Sequence, residues 1–404
     1  MRRPEWDHHN IRKNRIMQIL KKINRYGLTI VFLLFIASMG VWNLPEAKEA
    51  VQNSTEKSWA GISRSLEHYY GEELKGRYRF IEANGLVKRM AFLRTCNDTV
   101  RLDNGDLERL SNHFDVQDTA DSLILLYESC KELEIPFLCV FAPSKVCQYD
   151  TGLSVGVPDE VNPVASQVIE HLKNAGVPVM DLRQLLHEEG LSHEDLFFHT
   201  DHHWNLEGAF WGYQKLAERL NAEYGYEIAP FLTDLANFDQ INFPKGFLGS
   251  YGKRTGKYFG GADDISVILP DFESHLQMEV PERNLVREGD FSQALLDFSQ
   301  ITDARYYDDS HIPYAVYTGD DYNLMRITNE DAVNDKKLLL LKDSFARPVA
   351  SFLSLGIRQI EAIDLRIEPK ISVKEYLKTN RPDTVVVMYS IWALKDYNLI
   401  DFGL

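Results

Sequence analysis

The sequence predicts an α/β protein, a three-layer α/β/α sandwich around a parallel sheet with one transmembrane helix ahead of it. Three observations predict this. Amphipathic and wholly apolar stretches alternate from Asp118 onward, apolar runs with helical stretches between them recur near the C terminus, and residues 26–45 carry no charge. At 404 residues, 44% hydrophobic and 26% charged, the chain has material for one large core or two small ones.

The N-terminal element comes first. Residues 1–25 hold Arg2, Arg3, Arg12, Lys13, Arg15, Lys21, Lys22 and Arg25 against Glu5 and Asp7, whereas the whole chain has a formal net charge of -16. A basic leader therefore precedes an acidic body. Bulk negative charge argues against a nucleic-acid partner, because phosphate backbones are bound mainly through Lys and Arg. YGLTIVFLLFIASMGVWNLP, Tyr26–Pro45, is long enough to cross a hydrocarbon core of about 30 Å as one helix. Positive residues stay on the cytoplasmic side, so the leader is expected inside and everything after Pro45 outside. A cleaved signal peptide is the competing reading. The long basic region, and the lack of a clear small-residue cleavage site around Ala37 to Gly40, favour an uncleaved anchor.

Residues 46–115 are charged and helical in pattern and read as a membrane-proximal segment. Residues 116–404 read as one large domain. In it DTADSLILLYESCKELEI has the spacing of an amphipathic helix, and IPFLCVFAP suits a strand buried on both faces. ASQVIEHLKNAG repeats the helix, ending at Gly176, and VPVMDL repeats the strand. Towards the C terminus KKLLLL, RQIEAIDL and DTVVVMYS are further strands, with helices in RPVASFLSLG and VKEYLKTN. Helix and buried strand in turn imply crossover units and a parallel sheet. Residues 221–334, richer in Gly, Pro, Asp and aromatic residues, are expected to form irregular loops with short strands covering the sheet's edge.

Cys96, Cys130, Cys139 and Cys147 form no CxxC pair and show no metal spacing. An exported compartment permits disulfides among them without requiring any.

Candidate chemistry concentrates in FFHTDHHWNLEGAF, Phe197–Phe210. If Thr200 to Trp204 is extended, Asp201 and His203 share one face and His202 takes the other. Asn205 is a good N-cap, and Leu206, Ala209, Phe210, Tyr213, Leu216 and Ala217 trace an apolar stripe along the following helix. His199, His202, His203 and Asp201 are all zinc-ligand types. His199 and His203 share a face only on a helix, however, and no H-E-x-x-H is present, so neither a metal site nor an organic cofactor is assigned. Trp204 and Trp211 are of a type most often found in the core.

A nucleophile is available in KKLLLLKDSFARPVASF, where Ser344 lies at a strand-to-helix turn. Such a turn exposes a hydroxyl and sets backbone N–H groups at a helix N terminus, where a developing oxyanion can accept from them. Taken alone, a serine there is usually a helix cap, and an isolated Asp-x-His is weak. Together Ser344 as nucleophile, His203 as base and Asp201 as its orienting carboxylate complete a triad in roles, and chain order is no obstacle.

TDHHWN, read with KGFLGSYGKRTG and LLLLKDSFA, resembles the DHHW proteins and the alginate O-acetyltransferase family, which are SGNH-hydrolase-like. The likeness runs from about Phe80 to the C terminus. It implies an SGNH-like domain in which Asp201, His203 and Ser344 form the catalytic set, with the His/Asp block preceding the serine. Pro143 and Lys145 resemble the family's P-x-K, and Gly249, Ser250, Tyr251 and Arg254 its F-x-G-S-x-x-x-R-x-G segment. Lys145 and Arg254, with Tyr251, Gly249 and Trp204 nearby, are thus candidate substrate-binding residues, although Lys145 and Arg254 can equally pair with acidic neighbours. The resemblance also implies a cell-surface polysaccharide as substrate and a polytopic membrane acyltransferase as acetyl supplier. The expected protein is a membrane-anchored, extracytoplasmic serine O-acetyltransferase or acetylesterase. The alternative is a non-catalytic protein of the cell envelope that binds glycan or scaffolds an assembly.

Overall fold

A computed structural model of the chain describes residues 7–54, 56–110, 116–149, 151–153 and 155–403, with side chains from Tyr26 onward. The first six residues of the basic leader lie outside the described residues, as do 111–115, where the membrane-proximal segment was expected to end. The chain divides into two compact units, residues 1–80 and 81–404.

The first unit is built on one continuous helix, Asp7–Gln52, which runs through Pro45. Its stretch Tyr26–Gln52 is long and apolar enough to cross a membrane. Leu28, Val31, Phe32, Leu33 and Leu34 stand exposed along it. A second helix, Trp59–His68, is capped by Ser58, whose side chain accepts from the Gly61 N–H.

The first strands of the second unit, β1 (Thr95–Cys96), β2 (Thr99–Arg101) and β3 (Leu107–Arg109), form a small antiparallel sheet. The strands that follow are β4 (Phe137–Ala142), β5 (Val179–Asp181), β6 (Phe238–Phe247), β7 (Asp263–Pro270), β8 (Leu276–Val280), β9 (Leu285–Gly289), β10 (Leu324–Asn329), β11 (Lys337–Lys342), β12 (Gln359–Ile363) and β13 (Thr384–Ser390). β6 and β7 form a hairpin of their own. The others make an eight-stranded sheet in the order β5-β4-β13-β11-β12-β10-β8-β9.

From β5 to β12 neighbouring strands run parallel, joined by helical crossovers as the alternating pattern predicts. Beyond β12 the sheet turns antiparallel, and the short strands expected at the sheet's edge include β8, β9 and β10, which join the sheet itself. Residue patterning explains the change. β4 and β13 are buried at every position, as strands covered on both faces must be, whereas β8 and β10 alternate between buried and more exposed positions, as strands with one half-solvated face do.

The sheet separates two apolar cores. Leu338 and Leu340 of β11 face one, with the helices Leu206–Tyr224 and Ala346–Leu353. Leu339 and Leu341 face the other, with the helices Gln117–Glu132, Val161–Asn174 and Val373–Asn380. This is the three-layer arrangement. Ser344 and Lys145 follow directly on the carboxyl ends of β11 and β4, the side of an open parallel sheet on which ligand crevices form.

Candidate active site

The segment 197–204 is a loop rather than a strand, closed by an antiparallel bridge between Phe197 and Trp204. Asn205 then caps the helix Leu206–Tyr224, its side chain accepting from the Gly208 N–H, and every residue of the expected apolar stripe is buried. Within the loop the Asp201 carboxylate folds back on its own chain. Its Oδ1 accepts from the His203 backbone N–H at 3.0 Å and pairs with His203 Nδ1 at 2.6 Å, while Oδ2 accepts from the Ser250 N–H at 2.6 Å.

Asp201 is 4% exposed, and burial alone would raise its pKa. The imidazoles of His202 and His203, with the hydrogen bonds from His203 and Ser250, outweigh that and hold the carboxyl well below its ordinary range. An ionised carboxylate only accepts, so His203 Nδ1 carries the proton. His203 Nε2 is then left as an acceptor, and the Ser344 hydroxyl stands 2.7 Å from it. Burial pushes His203 below the usual histidine value. The Asp201 charge and hydrogen bond pull upward against this, Arg347 acts downward and Asp321 upward.

Ser344 lies in the turn between β11 and the helix Ala346–Leu353. Asp343 pins that turn, accepting from the Phe345 N–H at 2.9 Å and the Ser390 N–H at 2.8 Å, the latter at the end of β13. The Phe345 carbonyl in turn accepts from Trp204 Nε1 at 3.1 Å and from the Tyr314 hydroxyl at 3.4 Å. Tyr314 also stacks on the His203 ring, with centroids 3.9 Å apart and an interplanar angle of 19°. The Asp201/His203 loop and the Ser344 turn are thus tied together by Trp204 and Tyr314 as well as by the His203–Ser344 hydrogen bond.

Most of the remaining candidates lie inside the unit rather than on an open surface, so their contacts are internal. Lys145 is 3% exposed, and its ammonium donates to the backbone carbonyls of Leu107 (2.8 Å), His199 (3.1 Å) and Asp201 (2.6 Å). Tyr251 is buried with its hydroxyl on Glu108 at 2.9 Å, and Trp204 is buried against Gly212. Gly249 is where two backbones meet. A Cβ there would stand 2.3 Å from Asp201 Cβ and 2.6 Å from the Thr200 carbonyl oxygen, so only glycine lets the Ser250 N–H reach the Asp201 carboxylate. Arg254 is exposed and pairs with Asp98 at 2.8 Å, the second of the two arrangements open to it.

His202 is half-buried beside His203, with Nδ1 3.0 Å from the Ser250 hydroxyl. Asp201, His202 and His203 offer ligand atoms within 4.8 Å of one another. Both ring nitrogens of His203 are engaged, however, and a cation would have to displace Ser344 or Asp201 from them. The His199 ring is held by Asp106.

Sequence reasoning passed over Asp263, which accepts from the N–H groups of His199 (2.7 Å) and Thr200 (2.9 Å) under the loop. It also passed over Tyr314 and Asp321. All three fall in the stretch whose patterning has no clear period, and nothing local marks them.

Comparison with known proteins adds the wider setting. A family model described as "SGNH hydrolase-like domain, acetyltransferase AlgX" matches residues 105–232, which include Asp201 and His203 but not Ser344. A search of curated proteins found no match. Among solved structures, Bacillus cereus PatB1 with a sulfonyl adduct is 20% identical with a TM-score of 0.61, over 76% of this chain and 99% of that one. PatB1 without that description gives 22% and 0.59, over 76% and 100%. A DHHW family protein from Eubacterium siraeum gives 16% and 0.55, over 76% and 97%. Identities this low speak for the fold. The chain is an α/β protein of SGNH hydrolase-like fold that shares its architecture with PatB1 and a DHHW family protein and matches the AlgX acetyltransferase domain over residues 105–232.

Proposed function

We propose that this chain is a membrane-anchored serine O-acyltransferase, using Ser344, His203 and Asp201 to move acetyl groups onto a cell-surface polysaccharide outside the cytoplasm. The observation that carries the reading is the unbroken relay from Asp201 Oδ1 through His203 to Ser344 Oγ, at 2.6 and 2.7 Å. Both distances lie within the reach that general-base activation of a nucleophile requires. A structural serine has no need of a histidine that is itself oriented by a buried carboxylate.

In the reaction the Ser344 hydroxyl oxygen attacks the donor's acyl carbon as its proton passes to His203 Nε2. The Asp201 carboxylate stabilises the imidazolium so formed. The Phe345 N–H is committed to Asp343, which leaves the N–H of Ser344 itself as a nearby backbone donor for the oxyanion. Collapse expels the donor's leaving group, which takes the proton back from His203. A sugar hydroxyl then gives its proton to His203 and attacks the acyl-serine; the acyl–Oγ bond breaks, His203 returns the proton to the Ser344 oxygen, and the new ester leaves with the triad restored. Water in place of the sugar gives hydrolysis, and transfer therefore depends on excluding it.

Anchoring rests on the apolar stretch Tyr26–Gln52, with the basic leader on the cytoplasmic side. The acetyl supplier in this reading is a polytopic membrane acyltransferase.

The test is acetyl release from p-nitrophenyl acetate by the full chain in detergent, beside Ser344→Ala and His203→Ala, with and without acetyl-accepting oligosaccharides. Loss of release in both variants, with acetylated oligosaccharide from the native chain, is the expected result. A native rate equal to that of both variants would reject the triad and turn attention to glycan binding or scaffolding. The pH profile carries a second expectation. His203 must be neutral to act, and burial lowers its pKa, so kcat/KM should hold steady below the ordinary histidine value of about 6.5 and fall only at more acidic pH.

A further inference from the structure

We propose that Asp321 is a positioning residue for the nucleophile, bridging Lys342 and Arg347 on either side of Ser344 and so holding its hydroxyl in line with His203. The inference rests on the reading of Ser344 as nucleophile. Asp321 Oδ1 lies 2.6 Å from Lys342 Nζ, and Oδ2 lies 2.6 Å from Arg347 Nη2. Arg347 Nε adds a second contact at 3.3 Å, so the guanidinium meets the carboxylate at two points, a geometry that fixes orientation as well as distance. Lys342 ends β11 and Arg347 stands in the first turn of the helix Ala346–Leu353, with Ser344 between them. One carboxylate therefore grips both ends of the turn that presents the hydroxyl.

The grip is buried. Lys342 is 2% exposed and Arg347 5%. Lys342 has a second carboxylate in Asp364 at 3.4 Å, which Arg366 also holds through two nitrogens at 2.9 and 2.6 Å. For Arg347, Asp321 is the one carboxylate in ion-pair contact among the described residues. Stability alone is a weak reason for such a cluster, because well-packed apolar side chains commonly serve as well as buried ion pairs. Directional contacts aimed at the two flanks of one serine are what apolar packing would not supply.

Asp321 reaches the turn from the loop before β10, and the same segment carries Tyr314, stacked on His203. The charged and titratable groups about His203 are Asp201 and His202 on its own loop, Tyr314, Asp343 and Arg347 from the serine's segment, Asp321, and Lys145 under Asp201. Arg347 disfavours the imidazolium and Asp321 favours it, so the bridge also offsets the arginine's effect on the base.

Opposite signs make the test selective. Asp321→Asn and Arg347→Gln would be prepared as full chains in detergent, with kcat and KM for p-nitrophenyl acetate measured from pH 4 to 9 beside native protein, Ser344→Ala and Asp321→Glu. Both variants should lose about 10²-fold in kcat with KM nearly unchanged. The acidic limb should move down by about one pH unit in Asp321→Asn and up by a similar amount in Arg347→Gln. Asp321→Glu should restore part of the rate. Native kcat in either variant, or limbs that move in the same direction, would overturn the proposal. Should thermal unfolding show that Asp321→Asn does not fold, Arg347→Gln decides alone: a reduced kcat with a raised limb supports the bridge, and an unmoved limb rejects it. A fully active Ser344→Ala would instead sink the nucleophile reading, whereas an inactive Ser344→Ala beside native-like Asp321 and Arg347 variants would sink the bridge alone.

Discussion

The two halves of the site are held by different physics. The Asp/His loop is fixed mainly by backbone groups. Lys145 gathers three carbonyls, Asp263 takes two N–H groups, and Ser250 gives its N–H to Asp201 across a contact that only Gly249 permits. The serine turn is gripped instead by side-chain ions, with Asp321, Lys342, Arg347, Asp364 and Arg366 packed around it. Backbone anchoring sets the loop's shape whatever its side chains do, while ionic anchoring couples the turn's geometry to the charge felt by His203. Changes on the first side should therefore act through stability and distance, and changes on the second through rate and pH profile.

The largest expected effect tests whether the halves work as one unit. Ser344→Ala should cost roughly 10⁴- to 10⁶-fold in kcat, and the double variant Ser344→Ala/His203→Ala should cost little more, as in other triads whose members act together. Additive losses, measured on p-nitrophenyl acetate, would separate the two halves. Asp201→Asn should follow at about 10⁴-fold, since an amide presents the wrong partner to His203 Nδ1.

Lys145→Met probes the backbone-held side. It strands carbonyls that are now satisfied by a buried ammonium, and a loss of about 3 kcal/mol in a denaturant midpoint series is expected. Labelling of Ser344 by a fluorophosphonate should slow in parallel. Gly249→Ala is milder in chemistry and similar in kind. Its methyl would meet Asp201 and the Thr200 carbonyl, costing about 1–3 kcal/mol, and the acidic limb should stay near its native position. A large move of that limb would show that the loop side also tunes His203.

Arg254→Gln should do least. Its exposed pair with Asp98 is worth no more than about 0.5 kcal/mol, and with the guanidinium so engaged KM for an oligosaccharide acceptor should be unchanged. A several-fold rise in that KM would extend the acceptor site to this surface.

Much of this was legible in the residues. The alternating helices and buried strands of the parallel core are set by local periodicity, and Leu338 to Leu341 show both faces of one strand meeting the two cores. Asp201 and His203 could be paired in advance because they are two positions apart and their bonding is local. Ser344 stood out at a switch from strand to helix. The apolar, charge-free stretch from Tyr26 likewise needs no neighbour to be recognised as long enough to cross a membrane.

Only the tertiary structure decided the rest. β8, β9 and β10 joined the main sheet antiparallel: the alternation in β8 and β10 suits strands with one half-solvated face, but only the fold set β10 beside β12. Ser250, 49 positions from Asp201, became its hydrogen-bond donor, and Lys145 and Tyr251 turned inward. Asp321, one acid among many in an irregular stretch, became the bridge across the serine turn. The physical reason is the same in each case. Periodicity and capping act over one or two turns of chain and are written in neighbouring residues, whereas a buried polar contact is satisfied by whichever group the fold brings within about 3 Å, and sequence spacing carries no record of that distance.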